Sequence, residues 1–263
     1  MTATANAQAT PLLELQQVSR RFGGLQALTD VSFSVMEGEI FGLIGPNGAG
    51  KTTLFNLLSG VTPASSGSIR WRGTAIDGLS PDRLNRLGIA RTFQNLRLFN
   101  GLTALENVLV ALHRRPQGGR LAALLNSTPF QRRQQALRQE ALQLLDDLGI
   151  AELAQRQAGG LAYGDRRRLE IARALATSPS LLLLDEPAAG MNPSEKEALC
   201  QLLARLRERH RLTLMLIEHH VPLLMQLCQR LAVLDFGQRI ALGSPEQIRR
   251  DPRVIEAYLG GQP

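Results

Sequence analysis

Long apolar runs are missing from this sequence, and aromatic residues are scarce. The longest uninterrupted apolar runs have four or five residues, as in Leu181–Leu184, whereas a helix that crosses a bilayer needs about 20 apolar residues. We therefore expect no membrane-spanning segment. Aromatic residues make up only 4% of the chain, so the core should consist mainly of aliphatic side chains.

The N-terminus and the cysteines also exclude some possibilities. Residues 1–11, MTATANAQATP, contain neither a basic residue nor an apolar stretch. They lack the features of a secretory signal, and we interpret them as a flexible N-terminus. The only cysteines, Cys200 and Cys228, are far apart in sequence and fall in predicted helices. We expect two buried, reduced thiols, which suits a cytoplasmic protein.

The net charge of +7 does not identify a partner by itself. A basic protein can bind nucleic acid or another anionic surface, but the basic residues are scattered, with one main cluster at Arg166–Arg168. Solvated helix faces, a bound nucleotide and acidic lipid headgroups explain this distribution equally well.

Short strands and helices alternate along most of the chain. Residues 12–44 are predicted to form strands, with a turn at Phe22-Gly23-Gly24, and buried strands are also predicted at LLLLD, TLMLIE and LAVLD. Helices are predicted between them, at residues 166–177 among others, and residues 100–158 have a helical pattern. Strands that alternate with helices imply an α/β fold with a mostly parallel sheet covered on both faces.

A glycine-rich loop follows the predicted strand EIFGLI and precedes a predicted helix. The segment GPNGAGKTT fits the pattern G-x-x-x-x-G-K-[ST], in which glycines let successive backbone N–H groups point at one phosphate. The start of the helix adds positive potential at the same place. Lys51 is expected to contact the β- and γ-phosphates of a nucleotide, and the Thr52 hydroxyl to bind Mg²⁺. The nucleotide-binding prediction covers Gly45, Pro46, Asn47, Gly48, Ala49, Gly50, Lys51, Thr52 and Thr53.

Two carboxylates, Asp185 and Glu186, follow the apolar run LLLL. Ligands of open α/β sheets bind at the carboxyl ends of the strands. Asp185 is therefore placed to hold Mg²⁺, usually through a water, and Glu186 is the candidate base for an attacking water. This pair alone would be a weak signal, but a phosphate-bound Mg²⁺ needs such a carboxylate.

With these motifs in place, the sequence from about residue 12 to the end resembles the ATP-binding cassette (ABC) family. The resemblance implies a P-loop (RecA-like) core at residues 12–95 and 166–240 with an N-terminal antiparallel β subdomain. It also implies an inserted helical subdomain at 96–165 and a helical tail at 241–263. The segment LAYGDRRRLEIARAL is similar to the family signature. That motif contacts the γ-phosphate held by a partner chain, through Leu161, Ala162, Tyr163, Gly164 and Asp165.

Two signature positions depart from the family. Ala162 replaces the usual serine and removes a hydroxyl donor, and Asp165 replaces the usual glutamine. Because a negative charge near a γ-phosphate is unfavourable, Asp165 could cap the following helix instead. We expect function to survive, since the backbone donors remain.

The resemblance assigns further roles. Gln94 is similar to the glutamine that contacts metal and water and links the core to the helical lobe. His219 is similar to the histidine that contacts the γ-phosphate, with His220 as the weaker candidate. Asn192 falls in the loop that normally crosses to the partner subunit, and Phe22 falls at the position of an aromatic that stacks on adenine. The implied catalytic residues are Glu186, His219, Gln94 and Lys51, and the implied Mg²⁺ residues are Thr52, Gln94 and Asp185.

Within the family, several segments together resemble the LivG-type ATPases of branched-chain amino acid importers. These segments are RFGGLQAL, ARTFQNLRLF, DEPAAGMNP and the ending GSPEQIRRDPRVIEAYLG, together with the extra lobe segment around residues 115–135. The resemblance implies ATP as substrate and Mg²⁺ as cofactor. It also implies two transmembrane permease subunits, a second ATPase subunit (a copy or a relative) and, indirectly, a periplasmic binding protein. The expected location is the cytoplasmic side of the inner membrane, with no nucleic-acid partner.

Three alternatives remain open from the sequence. An ATPase of a urea or amide importer and one of a lipid exporter share this fold. A soluble ABC ATPase that acts on DNA or ribosomes is less favoured, because such proteins usually carry two cassettes or a long coiled-coil insert. The choice of transported substrate is expected to lie with the binding protein and the membrane subunits.

Overall fold

The computed structural model describes residues 10–94, 96–113 and 128–259. It contains two sheets. Four strands form an antiparallel sheet in the order β2-β1-β4-β5. These strands are β1 (Leu13–Phe22), β2 (Leu25–Val35), β4 (Ser66–Trp71) and β5 (Thr74–Ala75). The first hairpin turns at Gly23 and Gly24, as predicted, and Gly23 has a φ of 56° that suits a glycine in a tight turn.

The second sheet has the order β10-β9-β3-β8-β7-β6. Neighbouring strands from β9 to β6 pair in parallel, whereas β10 forms an antiparallel hairpin with β9. Its strands are β3 (Ile40–Ile44), β6 (Ile89–Arg91), β7 (Leu181–Asp185), β8 (Thr213–Ile217), β9 (Arg230–Asp235) and β10 (Gln238–Gly243). The predicted α/β fold with a mostly parallel sheet and an antiparallel β subdomain is confirmed.

Helices cover the parallel sheet and extend beyond it. The described α-helices are α1 (Lys51–Leu58), α2 (Pro81–Arg86), α3 (Ala104–Leu112), α4 (Thr128–Asp147), α5 (Tyr163–Leu175), α6 (Pro193–His210), α7 (Val221–Leu227), α8 (Pro245–Arg250) and α9 (Pro252–Leu259). Short 3₁₀ turns at Ala151–Leu153 and Ala158–Gly160 connect α4 to α5. Helices α3, α4 and the first part of α5 lie in the region of the predicted helical insertion.

The parallel sheet separates two hydrophobic clusters. Along β7, Leu182 and Leu184 join one cluster, and Leu181 and Leu183 join the other. The same alternation occurs in β8 because successive side chains of a strand point to opposite faces. One cluster includes residues of α3, α4, α5, α6 and α7, and the other includes residues of β1, β2 and α1. Both faces of the sheet are therefore buried, and its polar groups concentrate at the strand ends.

Several sequence predictions need correction. Helix α5 begins at Tyr163, not at residue 166, so it spans the proposed boundary between the lobe and the core. Asp165 is not its cap: Ala162 occupies that position and makes no side-chain cap hydrogen bond. Asp165 instead lies in the first turn, where its charge suits the helix dipole. The predicted strands also omitted β6 and β10.

The predicted burial of the two cysteines is confirmed, the predicted helical position of Cys228 is wrong, and the extra lobe segment is only partly described. Cys200 and Cys228 are buried and free, as predicted, but Cys228 is the residue that ends α7 and not part of a helix. Burial raises the pKa of the Cys228 thiol, which keeps it protonated. Residues 114–127, which include part of the extra lobe segment around residues 115–135, and most of the N-terminal segment 1–11 lie outside the described residues. Within the described ranges, no helix is long and apolar enough to cross a bilayer.

Candidate functional site

A cavity of about 710 Å³ lies where the glycine-rich loop meets the carboxyl ends of the parallel strands. One wall consists of residues 47–53, which are the second half of the loop and the first turn of α1. The lining also includes Gln94, Glu186 and His219, which follow β6, β7 and β8. Parallel strands end at the same edge, and this topology brings together side chains that are far apart in sequence.

The loop conformation depends on its glycines. Gly45, Gly48 and Gly50 have φ values of 149°, 80° and 98°, which side-chain-bearing residues rarely adopt. A Cβ atom on Gly45 would lie 2.0 Å from the Leu234 carbonyl oxygen. The backbone therefore passes close to β9 before it turns into α1. Such a loop at a helix N-terminus can hold an anion without any acidic side chain in its way.

Lys51 is the buried cation of this loop. Its Nζ donates hydrogen bonds to the carbonyl oxygens of Gly45 (2.7 Å) and Pro46 (2.8 Å). Gly45 and Pro46 themselves do not line the cavity. Burial lowers the pKa of Lys51, and the nearby Glu186 carboxylate opposes that shift. The ammonium group thus lies at the cavity, and its two partners are neutral carbonyl oxygens.

Glu186 lies between Gln94 and His219. Gln94 Nε2 donates to Glu186 Oε2 at 3.0 Å, and His219 Nε2 lies 2.7 Å from Glu186 Oε1. Glu186 has a φ of 50°, a strained conformation for a residue with a side chain. Strain of this kind concentrates at functional sites. The three predicted residues are therefore brought together, whereas His220 instead caps α7.

Asp185 has a different environment from Glu186. It is buried at the end of β7 and does not line the cavity. Its Oδ2 accepts a hydrogen bond from Arg91 Nη2 at 2.7 Å. Arg91 was missed by sequence reasoning, because a single arginine at the end of a short strand carries no motif.

Glu218, which follows β8, also escaped prediction. It is buried, and its Oε1 accepts a hydrogen bond from the Ala188 backbone N–H at 2.6 Å. Burial raises the Glu218 pKa, and hydrogen bonds from backbone N–H groups oppose that shift. Glu218 therefore holds the loop that follows Glu186.

The aromatic residues of the cavity include one that was predicted and one that was not. Phe22, at the end of β1, lines the cavity with the Arg20 guanidinium 4.4 Å from its ring centre. Phe236, in the β9–β10 hairpin, also lines the cavity, and its side chain is 88% exposed. The neighbouring Gly237 N–H donates to the Ala49 carbonyl oxygen. Because β10 was not predicted, this hairpin could not be placed beside the loop from sequence patterns.

The signature-like residues lie elsewhere on the surface. Ala162 and Tyr163 are exposed at the start of α5, and a Cβ atom on Gly164 would meet nothing within 4 Å. No residue from Leu161 to Asp165 lines the cavity. Asn192 is also outside it, and its side chain caps α6 by accepting a hydrogen bond from the Glu195 N–H. The chain therefore presents these residues away from its own cavity.

The arginine cluster is largely engaged within the chain. Arg167 is buried and donates to the carbonyl oxygens of Phe93 (2.8 Å) and Gln94 (2.7 Å). The Glu170 carboxylate accepts from the Phe93 N–H, and burial raises its pKa while that hydrogen bond and Arg167 lower it. Helix α5 thus fixes the backbone of the segment that contains Gln94, and the cluster is not a free basic patch.

The comparisons with known proteins agree with this geometry. A family model described as ABC transporter matches residues 28–189, and one described as branched-chain amino acid ATP-binding cassette transporter matches residues 238–262. LivG of Salmonella typhimurium and BraF of Pseudomonas aeruginosa are high-affinity branched-chain amino acid transport ATP-binding proteins. Each is 47% identical to this chain over 95% of it and 98% of the relative.

Solved structures agree as well. The ADP conformation of MJ1267, an ATP-binding cassette of an ABC transporter, superimposes with a TM-score of 0.81 at 31% identity. The match covers 95% of this chain and 99% of MJ1267. With a family model over more than half of its residues and close relatives over nearly all of them, the chain belongs to the ATPases of the ABC transporter family.

Proposed function

We propose that this protein is the ATP-hydrolysing subunit of an importer for branched-chain amino acids. The observation that carries the proposal is that Glu186, with Gln94 and His219 on its two oxygens, lies in the same cavity as the Lys51 loop. The 47% identity to LivG and BraF supports branched-chain amino acids as the substrate class.

ATP is proposed to bind with its phosphates along the loop. Backbone N–H groups among residues 47–53, which line the cavity, and the Lys51 ammonium offer donors to the β- and γ-phosphates. Lys51 would leave the carbonyl oxygens of Gly45 and Pro46 for the phosphates, because its ammonium is attracted more strongly to an anionic phosphate oxygen than to a neutral carbonyl oxygen.

The adenine base is proposed to lie against Phe22 and Phe236. Alanine at either position should weaken ATP binding by about 1–3 kcal/mol, since stacking of one base on an aromatic ring contributes that much. Tripolyphosphate, which has no base, should bind equally well to all variants. Titration calorimetry measures both affinities, and Phe99→Ala is a control because Phe99 is similarly exposed outside the cavity. Parallel loss of tripolyphosphate binding would contradict the stacking role.

Mg²⁺ is proposed to use the Thr52 hydroxyl, the Asp185 carboxylate and the Gln94 side chain. Oxygen donors are the ligands that Mg²⁺ prefers. The residues fit: Thr52 and Gln94 line the cavity, and Asp185 Oδ1 has no hydrogen bond among the described residues. When bound, Mg²⁺ would neutralise charge on the β- and γ-phosphates.

Glu186 is proposed to accept a proton from the water that attacks the γ-phosphate. Each carboxylate oxygen can accept two hydrogen bonds, so the contacts with Gln94 and His219 leave capacity for a water. These contacts fix the orientation of the carboxylate, and a positioned base of this kind accelerates the reaction.

A second ATPase chain is proposed to complete the site with its signature residues, 161–165. Ala162 and Tyr163 are exposed, and none of the five residues lines the cavity of its own chain, which suits contact with ATP held by a partner. Gly164 leaves room for close approach of its backbone to a phosphate. The partner can be a second copy or a related ATPase.

The membrane subunits are proposed to dock on an open groove beside the helical lobe. Phe99 and Val110, both exposed, line it together with Arg97 and Arg173. Phe93, adjacent to Gln94, also lines this groove. A permease segment bound there would respond to changes at Gln94. We further propose that the protein is a peripheral subunit on the cytoplasmic side of the inner membrane, and that the periplasmic binding protein acts through the permease.

Deletion of the gene in its own host should reduce uptake of radiolabelled leucine, isoleucine and valine to the level left by other transporters. The wild-type gene should restore uptake, and Glu186→Gln should not, because binding without hydrolysis cannot drive transport. Uptake of an unrelated amino acid is the control. Unchanged uptake of all three substrates, or loss of urea uptake instead, would contradict the proposed substrate class.

A further inference from the structure

Arg91 lies at the centre of a buried network that joins three elements. Its side chain is only 5% exposed, and that of Asp185 only 3%. Nη2 donates to Asp185 Oδ2 at 2.7 Å, while Nη1 donates to Asn56 Oδ1 at 2.7 Å and Ser59 Oγ at 2.9 Å. Arg91 thus connects β6, on which it lies, to the end of β7 and to the last turn of α1.

We propose that Arg91 is a positioning residue for the Mg²⁺ that accompanies ATP. The inference rests on the proposed function, because it concerns the same site. Arg91 would act through Asp185 and α1, without touching the metal or the nucleotide itself.

The first argument is the way in which Asp185 is held. Arg91 occupies only Oδ2, and Oδ1 has no hydrogen bond within the described part of the chain. One oxygen is therefore fixed by the guanidinium, and the other remains available to a cation or its water. Hydrogen bonds to a ligating group from outside the metal site orient that group, and their loss typically reduces metal affinity.

The second argument concerns Thr52. Helix α1 begins at Lys51 and ends at Leu58, so its first turn bears Thr52 and its last turn and end bear Asn56 and Ser59. A helix of this length moves nearly as one body. By holding its far end, Arg91 sets the position of Thr52 relative to Asp185. Mg²⁺ demands near-ideal octahedral geometry at short distances, so small displacements matter.

The third argument is that the site suits arginine specifically. The guanidinium carbon lies 5.0 Å from the Phe93 ring centre and 5.7 Å from that of Phe55. The planar guanidinium can lie near two rings and donate hydrogen bonds in two directions from different nitrogens, whereas a lysine ammonium has a single nitrogen. Arg91→Lys should therefore retain the charge but lose one of the two connections.

The experiment measures the affinity of the full-length protein for Mn²⁺, which replaces Mg²⁺, in the presence of a non-hydrolysable ATP analogue. Electron paramagnetic resonance distinguishes bound from free Mn²⁺. Arg91→Met should weaken Mn²⁺ binding by about 10–100-fold, the usual cost of removing such a supporting hydrogen bond. Affinity for the analogue in EDTA should stay unchanged. Arg91→Lys should give an intermediate loss. Arg72→Met is the matched control, because it breaks an exposed Arg–Glu pair of similar length, 2.8 Å.

Two results would overturn the proposal. One is wild-type Mn²⁺ affinity in Arg91→Met; the other is an equal loss of analogue binding in EDTA, which would indicate a purely structural role. If Arg91→Met does not fold, Asn56→Ala and Ser59→Ala remove the α1 connection and keep the Asp185 pair. They should then weaken Mn²⁺ binding to a smaller degree, and wild-type values in both would overturn the proposal. Failure of the wild-type protein to bind the analogue in EDTA would instead contradict the proposed nucleotide site.

Discussion

Replacement of Glu186 by glutamine is expected to lower the rate of ATP hydrolysis by about 10²–10⁴-fold, the usual contribution of a positioned general base. Glutamine has nearly the same size and preserves the positive φ of this position. Its amide oxygen can still accept one hydrogen bond from Gln94 or His219. What it cannot do is accept the proton of the attacking water.

ATP binding should survive this substitution, because the hydrogen bonds of the Glu186 side chain go to Gln94 and His219 and not to the loop. Phosphate release measures the rate, and titration with ATP measures binding. Glu246→Gln makes the same chemical change at an exposed position of α8 and should leave both unchanged. Hydrolysis near the wild-type rate in Glu186→Gln would show that Glu186 is not the general base.

Replacement of Lys51 by alanine is expected to weaken ATP binding by about 10–100-fold. A hydrogen bond to a charged group contributes about 1.5–3 kcal/mol, and about 1.4 kcal/mol corresponds to a tenfold change in affinity. The same substitution removes the donor that holds the carbonyl oxygens of Gly45 and Pro46. Part of the loss would therefore come from the shape of the loop.

The chain contains only one other lysine, Lys196, in the first turn of α6. Lys196→Ala is the matched control and should bind ATP as the wild type does. Binding should be measured in EDTA as well, so that the contribution of the lysine is separated from that of a metal. Unchanged ATP affinity in Lys51→Ala would contradict the assignment of the loop as the phosphate site.

The pH dependence of binding follows from the environment of Lys51. Burial lowers its pKa, so the ammonium loses its proton at a lower pH than an ordinary lysine would. The protonated form attracts phosphate. As the pH is raised, the affinity for ATP should therefore begin to fall at a lower pH than it would if the phosphate-binding lysine were exposed.

Much of the fold was predictable from local patterns. The buried strand LLLLD was predicted at the residues where β7 occurs. The turn at Phe22-Gly23-Gly24 was equally clear. Such features depend on neighbours a few residues away, and a sequence displays those neighbours directly.

Predictions failed where a distant partner decides the structure. Strand β10 has only a few buried residues and exists because it pairs with β9. Helix α5 extends back to Tyr163 although no side chain caps it, and hydrogen bonds from Arg167 to the Phe93 and Gln94 carbonyls hold its first turns in place.

The sequence by itself determined that a phosphate loop precedes a helix, that two carboxylates end a buried strand, and which family the chain resembles. Only the tertiary structure decided that Glu186 lies between Gln94 and His219, that Asp185 pairs with Arg91, and that Phe236 faces the cavity. The reason is physical: a loop conformation follows from local backbone freedom, whereas contacts between residues a hundred positions apart follow from the order in which strands pair within the sheet.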